Sequence, residues 1–173
     1  MSSPLLGDPA SMSALGATLR RTALALAADG ERLTSGLEAA APGWTGPRSV
    51  HLRRRAGTVA TQTRSVAATL DQVGRSLQTA ATELAEAVGH LRELEDAATA
   101  LGLEVREGMV TRGWGITGVA DAAAVHDEDR QRERLQERVH LAVTTLGRRR
   151  ARLADELSRA SDLLARSSAD LRA

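Results

Sequence analysis

Pro42-Gly43-Trp44-Thr45-Gly46-Pro47 separates two stretches that both carry apolar residues at helical spacing, and it decides how they can lie. Pro42 and Gly43 end a helix. Gly46 supplies a positive φ or a close backbone approach, and Pro47 suits the first turn of a following helix, where its missing N–H is not needed. The two helices therefore fold back on each other as a hairpin. Trp44 is one of only two aromatic residues in the chain, and at such a corner its ring is expected to fill the wedge that Leu and Ala leave open.

Upstream, Asp8-Pro9 places a capping carboxylate before a proline, so a first helix is expected over about residues 10–40. Its stripe is Leu15, Leu19, Leu26, Leu33 and Leu37, with Thr22 and Gly30 at intermediate seam positions. Three glycines, Gly16, Gly30 and Gly36, make this helix dependent on a partner. Downstream, a 4–3 alternation runs without a break from Leu52 through Ala56, Val59, Thr63, Val66, Leu70, Val73 and Leu77 to Leu101 and Val105. It predicts a second helix over about 47–105 with a coiled-coil seam. Beside it runs a row of small residues, Ala60, Ala67, Gly74 and Ala81, ending in Val88, that lets another backbone approach closely.

The helical period then gives way to period two across Leu103 to Thr111, around Glu107-Gly108, which predicts a small β-hairpin. A Gly-rich loop with Trp114 follows; the indole is either a plug over helix ends or an exposed partner anchor. A third helix is expected over about 125–171, acidic at its start (Asp127, Glu128, Asp129) and striped by Leu135, Val139, Val143, Leu146, Leu153, Leu157, Ala160, Leu164 and Leu171, with Arg150 interrupting the stripe. By length, helix 1 should reach about residue 78 of helix 2 and helix 3 about residue 60, so all three overlap between these positions. The expected fold is all-α: an elongated antiparallel helical hairpin extended to a three-helix coiled-coil bundle in a single domain, with a small β-hairpin at one tip.

Composition narrows the function. The 173 residues include no Phe, Tyr, Cys or Lys, and 23 basic side chains nearly balance 22 acidic ones. The near-zero net charge and lack of stacking aromatics argue against nucleic acid, although Arg53-Arg54-Arg55 and Arg148-Arg149-Arg150 form basic runs. On a helix, three consecutive arginines point three ways, so the plain reading is a solvated face. No run of apolar residues is long enough for a membrane span, and Met1 to Leu6 lack the basic and apolar regions of a cleaved signal peptide. His51, His90, His126 and His140 lack metal-ligand spacing, and no Gly-X-Ser-X-Gly elbow or phosphate loop occurs. No catalytic residue, cofactor or metal site is expected, and the chain reads as a non-enzyme.

Trp44-Thr45-Gly46, set between Ala-rich amphipathic helices, resembles the Trp-Xaa-Gly (WXG) helical-hairpin proteins of type VII (ESX) secretion systems, chiefly of actinobacteria. The similarity to the short family core covers roughly residues 10–95, and the rest is similar in style to longer members, some toxin-associated. The resemblance implies a protein made in the cytoplasm and exported, acting as secreted substrate, escort partner or targeting module. It implies pairing with a second copy or another WXG-like helical protein, and dealings with a toxin or a secretion ATPase. The Tyr-Xaa-Xaa-Xaa-Asp/Glu export signal of many members has no counterpart, since Leu91 with Glu95 lacks the aromatic ring; a partner would have to supply it. The seam expected to meet the partner is Leu15, Leu19, Leu26 and Leu33 with Val59, Val66, Leu70, Val73 and Leu77. A cytoplasmic coiled-coil scaffold or adaptor unconnected with secretion fits the same amphipathic pattern.

Overall fold

A computed structural model describes residues 8–40, 43–113 and 122–172. Trp114 and Pro42 lie outside the described residues. Three helices, α1 (Pro9–Ala40), α2 (Pro47–Ala100) and α3 (Ala122–Arg172), and one hairpin of β1 (Leu103–Arg106) and β2 (Met109–Arg112) make the fold all-α with a small β-hairpin. The chain forms two compact units: Asp8–Ala81 with Arg152–Ala173, and Thr82–Ala151.

In the first unit, α1 opens as its sequence implies. The Asp8 carboxylate accepts the backbone N–H groups of Ala10 (3.1 Å) and Ser11 (3.0 Å) and the Ser11 hydroxyl. These bonds, the hydroxyl's foremost, hold the carboxyl below its ordinary value. The face that α1 buries is not the leucine stripe. Its buried residues are Gly16, Ala23 and Gly30, one every seven positions, roughly 60° round the helix from Leu15, Leu19, Leu26 and Leu33. They meet the small-residue row of α2. A Cβ on Gly16 would fall 2.6 Å from the Gly74 carbonyl oxygen, and one on Gly74 would fall 2.7 Å from that of Gly16. Farther along, Gly30 lies against Thr63 and the Ala60 carbonyl. The antiparallel register set by Gly16–Gly74 and Gly30–Ala60 places Ala23 opposite Ala67, and Ala60 and Ala67 are both buried.

The physical reason for this choice of face is distance. Small side chains bring two backbones together, so dispersion contacts run along whole helices, whereas facing leucines would hold the axes apart. Across this contact Arg20 bonds Asp71 (3.2 Å) and Gln78 (3.0 Å). The Ser76 hydroxyl donates to Glu156 (2.6 Å), and Glu83, seven residues on in α2, pairs with Arg149 (3.5 Å), seven back in α3, so α3 runs antiparallel to α2 and by helical rise its end comes level with about Ala60. The expected three-helix overlap is present within this unit.

At the α1–α2 corner Gly46 has φ +115° and Pro47 is the first residue of α2. The Gly46 carbonyl accepts the N–H groups of Ser49 (3.1 Å) and Val50 (3.2 Å) and the Ser49 hydroxyl (2.8 Å). Ser49 is buried, whereas Trp44 remains 40% exposed, so the expected wedge-filling ring does not fill the corner. A serine returning its hydroxyl to the turn carbonyl closes the corner with little volume.

In the second unit, α2 stops at Ala100, five residues before the expected end. Gly102, at φ +68°, turns the chain out of the helix, and the N–H groups of Leu101 and Gly102 bond back to Ala98 and Thr99 (3.0 Å each). Leu101 is therefore left exposed and Val105 belongs to β1, although both continue the heptad in the sequence. The strands pair from Leu103↔Arg112 to Arg106↔Met109, and the intervening Glu107 (φ 51°) and Gly108 (φ 80°) adopt the two positive-φ positions of a tight hairpin turn. Leu103 and Val110 from the hairpin join Leu94, Ala98, Leu135 and Val139 in one core. On α3 the inward line passes through Ala142 rather than Val143, which is 45% exposed. The smaller Ala142 packs against the core cluster, while Val143 lies toward the Gly108 turn. α3 begins at Ala122, three residues before its expected start.

Candidate partner-binding surface

The residues expected to form a partner seam divide by depth. Val73 and Leu77 are buried, and Val59, Val66 and Leu70 are half-buried. On α1, Leu19 and Leu26 are half-buried, whereas Leu15 (53%) and Leu33 (38%) remain exposed. The close approach of Gly16 to Gly74 turns the leucine row to the side of the contact. Leu19 and Leu26 are partly covered, and Leu15 and Leu33 face outward. An apolar strip about five turns long thus lies along α1.

The corner residues point elsewhere. Trp44 and Thr45 are both exposed, and the Trp44 carbonyl accepts a 2.6 Å bond from the Arg53 guanidinium. The tripeptide therefore works through its backbone at the helix junction and leaves the indole available.

Two features escaped the sequence reading. In the Thr82–Ala151 unit, Gln136 bonds the hairpin backbone at two points: its side-chain oxygen accepts the Val110 N–H (2.7 Å) and its amide donates to the Gly108 carbonyl (2.9 Å). Arg112 bridges Glu128 (3.1 Å) and Asp129 (3.4 Å), so acids expected to serve the α3 dipole also fasten β2. A groove of about 430 Å³ also opens between α2 and α3, floored by Ala87, Ala142 and Leu146 and flanked by Leu141, Glu86 and Arg138.

Among the described residues, no group of three His, Cys, Asp or Glu side chains is placed to hold a metal ion, and no helix is long and apolar enough to cross a membrane. Among the described residues, Asp8, an exposed helix cap, is the group with a perturbed acidity. A scan of protein-family models and searches of curated proteins and of solved structures find no match to this chain.

Proposed function

We propose that this protein is a non-catalytic helix-association module of the WXG type, serving type VII secretion as a substrate, an escort partner or a targeting module. The observation that supports the reading most is the exposed leucine strip of α1. Leu15 and Leu33 stand clear of an α1–α2 contact that is already complete without them. A second amphipathic helix laid along this strip removes their remaining exposed surface from water, which stabilises by about 0.5–1.5 kcal/mol for each, since both are already about half covered.

The position of Trp44-Thr45-Gly46 between two antiparallel helices adds to this reading. The partner is a second copy or another helical hairpin; for export it is the latter, which carries the aromatic signal that this chain lacks.

Sedimentation equilibrium across micromolar concentrations, of the chain alone and with a co-expressed hairpin protein encoded nearby, tests the association. A dimer that Leu15→Glu with Leu33→Glu dissociates is the expected result. A wild-type chain that stays monomeric both alone and with that protein would remove the reading.

A further inference from the structure

The α1–α2 corner carries a charge imbalance that helix association does not use. Between Glu38 and Asp71 the sequence has no acidic residue, yet it has five arginines, Arg48, Arg53, Arg54, Arg55 and Arg64. With a net charge of +1 for the whole chain, this stretch is at +5 and the remainder at −4. The structure does not neutralise it: among the described residues no carboxylate pairs with Arg48, Arg54 or Arg55, and all three are exposed. Arg53 instead turns inward to the Trp44 carbonyl. By the Ser76–Glu156 register α3 ends level with about Ala60, so it leaves the first turns of α2 uncovered.

Large apolar side chains share this end. Trp44 (40%), Val50 (56%) and Leu52 (42%) are exposed among the arginines. At about 100° per residue, Arg48, Arg54 and Arg55 spread over roughly a third of the circumference of α2, with Val50 and Leu52 beyond them on either side. Duplex phosphates would be met by a row of cations, with no use for three exposed apolar side chains. An anionic bilayer surface offers phosphates to every side of an inserted tip, and its interface is where indole and aliphatic groups with arginine neighbours settle.

We propose that the corner docks on anionic membrane surfaces, with Arg48, Arg54 and Arg55 on lipid phosphates and Trp44, Val50 and Leu52 in the headgroup layer. The attachment is peripheral and independent of the leucine strip on α1. Each arginine near such a surface strengthens partition about fivefold, so three together contribute about a hundredfold. The attraction weakens as salt screens it.

The test uses the full chain with Trp114→Phe, which leaves Trp44 as the sole indole. Phosphatidylcholine vesicles with and without phosphatidylglycerol are titrated in while Trp44 emission and co-sedimentation are followed. The expected result is a blue shift and pelleting with phosphatidylglycerol only, reversed by salt. Replacing Arg48, Arg54 and Arg55 by Gln should weaken binding about a hundredfold. The same positions as Lys should retain most of it, and Leu15→Glu with Leu33→Glu should leave it unchanged. Circular dichroism confirms that each variant is folded. Equal binding to neutral vesicles, an unmoved Trp44 spectrum, or full binding by the Gln variant would overturn the proposal. Retention on duplex DNA that phosphatidylglycerol vesicles fail to compete would overturn it too, in favour of a nucleic-acid surface.

Discussion

Adding one methyl group at different helical glycines should change stability in opposite directions, and the structure says which. In an exposed helix interior Gly→Ala stabilises by about 1 kcal/mol, because alanine loses less backbone entropy on folding. Gly36 and Gly57 meet this condition, since nothing lies within 4 Å of a Cβ at either site. Gly16 does not: its Cβ would fall 2.6 Å from the Gly74 carbonyl oxygen and 3.3 Å from the Gln78 nitrogen. Those are main-chain atoms of a packed helix, so the helices must separate. Overpacking of this kind costs about 1–3 kcal/mol, and after the propensity gain Gly16→Ala should remain destabilising by about 1–2 kcal/mol. Gly74→Ala should behave alike, and the double variant should cost less than the sum, because one separation of the helices accommodates both methyl groups. Gly30, two heptads from Gly16 on the same seam, has 3.5 Å to Thr63 and should accept alanine with a gain of about 0.5–1 kcal/mol. Urea unfolding followed by circular dichroism measures the series; at a slope of about 2 kcal/mol/M, Gly16→Ala and Gly57→Ala should differ by about 1 M or more in midpoint. Equal stabilisation by both would refute the close α1–α2 contact.

Other perturbations follow from single sites. Leu94→Ala empties the centre of the Thr82–Ala151 core and should cost about 2–5 kcal/mol in denaturant unfolding. Gln136→Ala removes both bonds to the hairpin backbone and should cost about 1–2 kcal/mol, with hydrogen exchange at the Val110 N–H accelerated well beyond that of α2. Glu107→Gly removes a side chain from a positive-φ position and should stabilise by about 0.5–1 kcal/mol; a lower melting temperature would contradict the turn geometry. The Asp8 carboxyl titrates below its ordinary value of 3.8 when folded. Its capping contribution is therefore complete above the unfolded value and is lost as pH falls through the lower folded one. Acid unfolding of Asp8→Asn should lack this component, seen as a smaller stability difference from wild type in acid than at neutral pH.

The order of elements was legible because the periodicities are long and differ in kind. Thirteen apolar seam positions over 54 residues leave little choice for α2, and period two around Glu107-Gly108 admits only a tight hairpin. The far boundary of α2 was misplaced because Leu101 and Val105 extend the heptad by identity, while Gly102 ends the helix by conformation. The contact face of α1 was misread for a related reason. Hydrophobic patterning weights leucine above glycine, but tight helix pairs are set by how near the backbones can come, and that favours Gly16, Ala23 and Gly30. The matching row on α2, Ala60, Ala67, Gly74 and Ala81, is visible in the sequence as a place for close approach, but the sequence does not say which backbone it receives.

The candidate surface was legible to the same extent. Leu15, Leu19, Leu26 and Leu33 were picked as a seam, and their periodicity is real, but it marks the rim of the intramolecular contact. What sequence could not supply is depth. Val59 and Val73 look equivalent in a heptad, yet one is half-buried and the other buried, because α1 and α3 cover different stretches of α2. The polar contacts of Gln136 and Arg112 join residues 16 to 28 positions apart, with no local pattern to announce them.

The central claim, association through the leucine strip of α1 in a secretion pathway, is tested most directly by tagged recovery from native cells. Medium and lysate are taken separately, for the wild-type chain and for Leu15→Glu with Leu33→Glu. The wild-type chain should be recovered from the medium with another helical hairpin protein, and the variant should lose both the partner and the export. Recovery from lysate alone, with the same companions for wild type and variant, would contradict it.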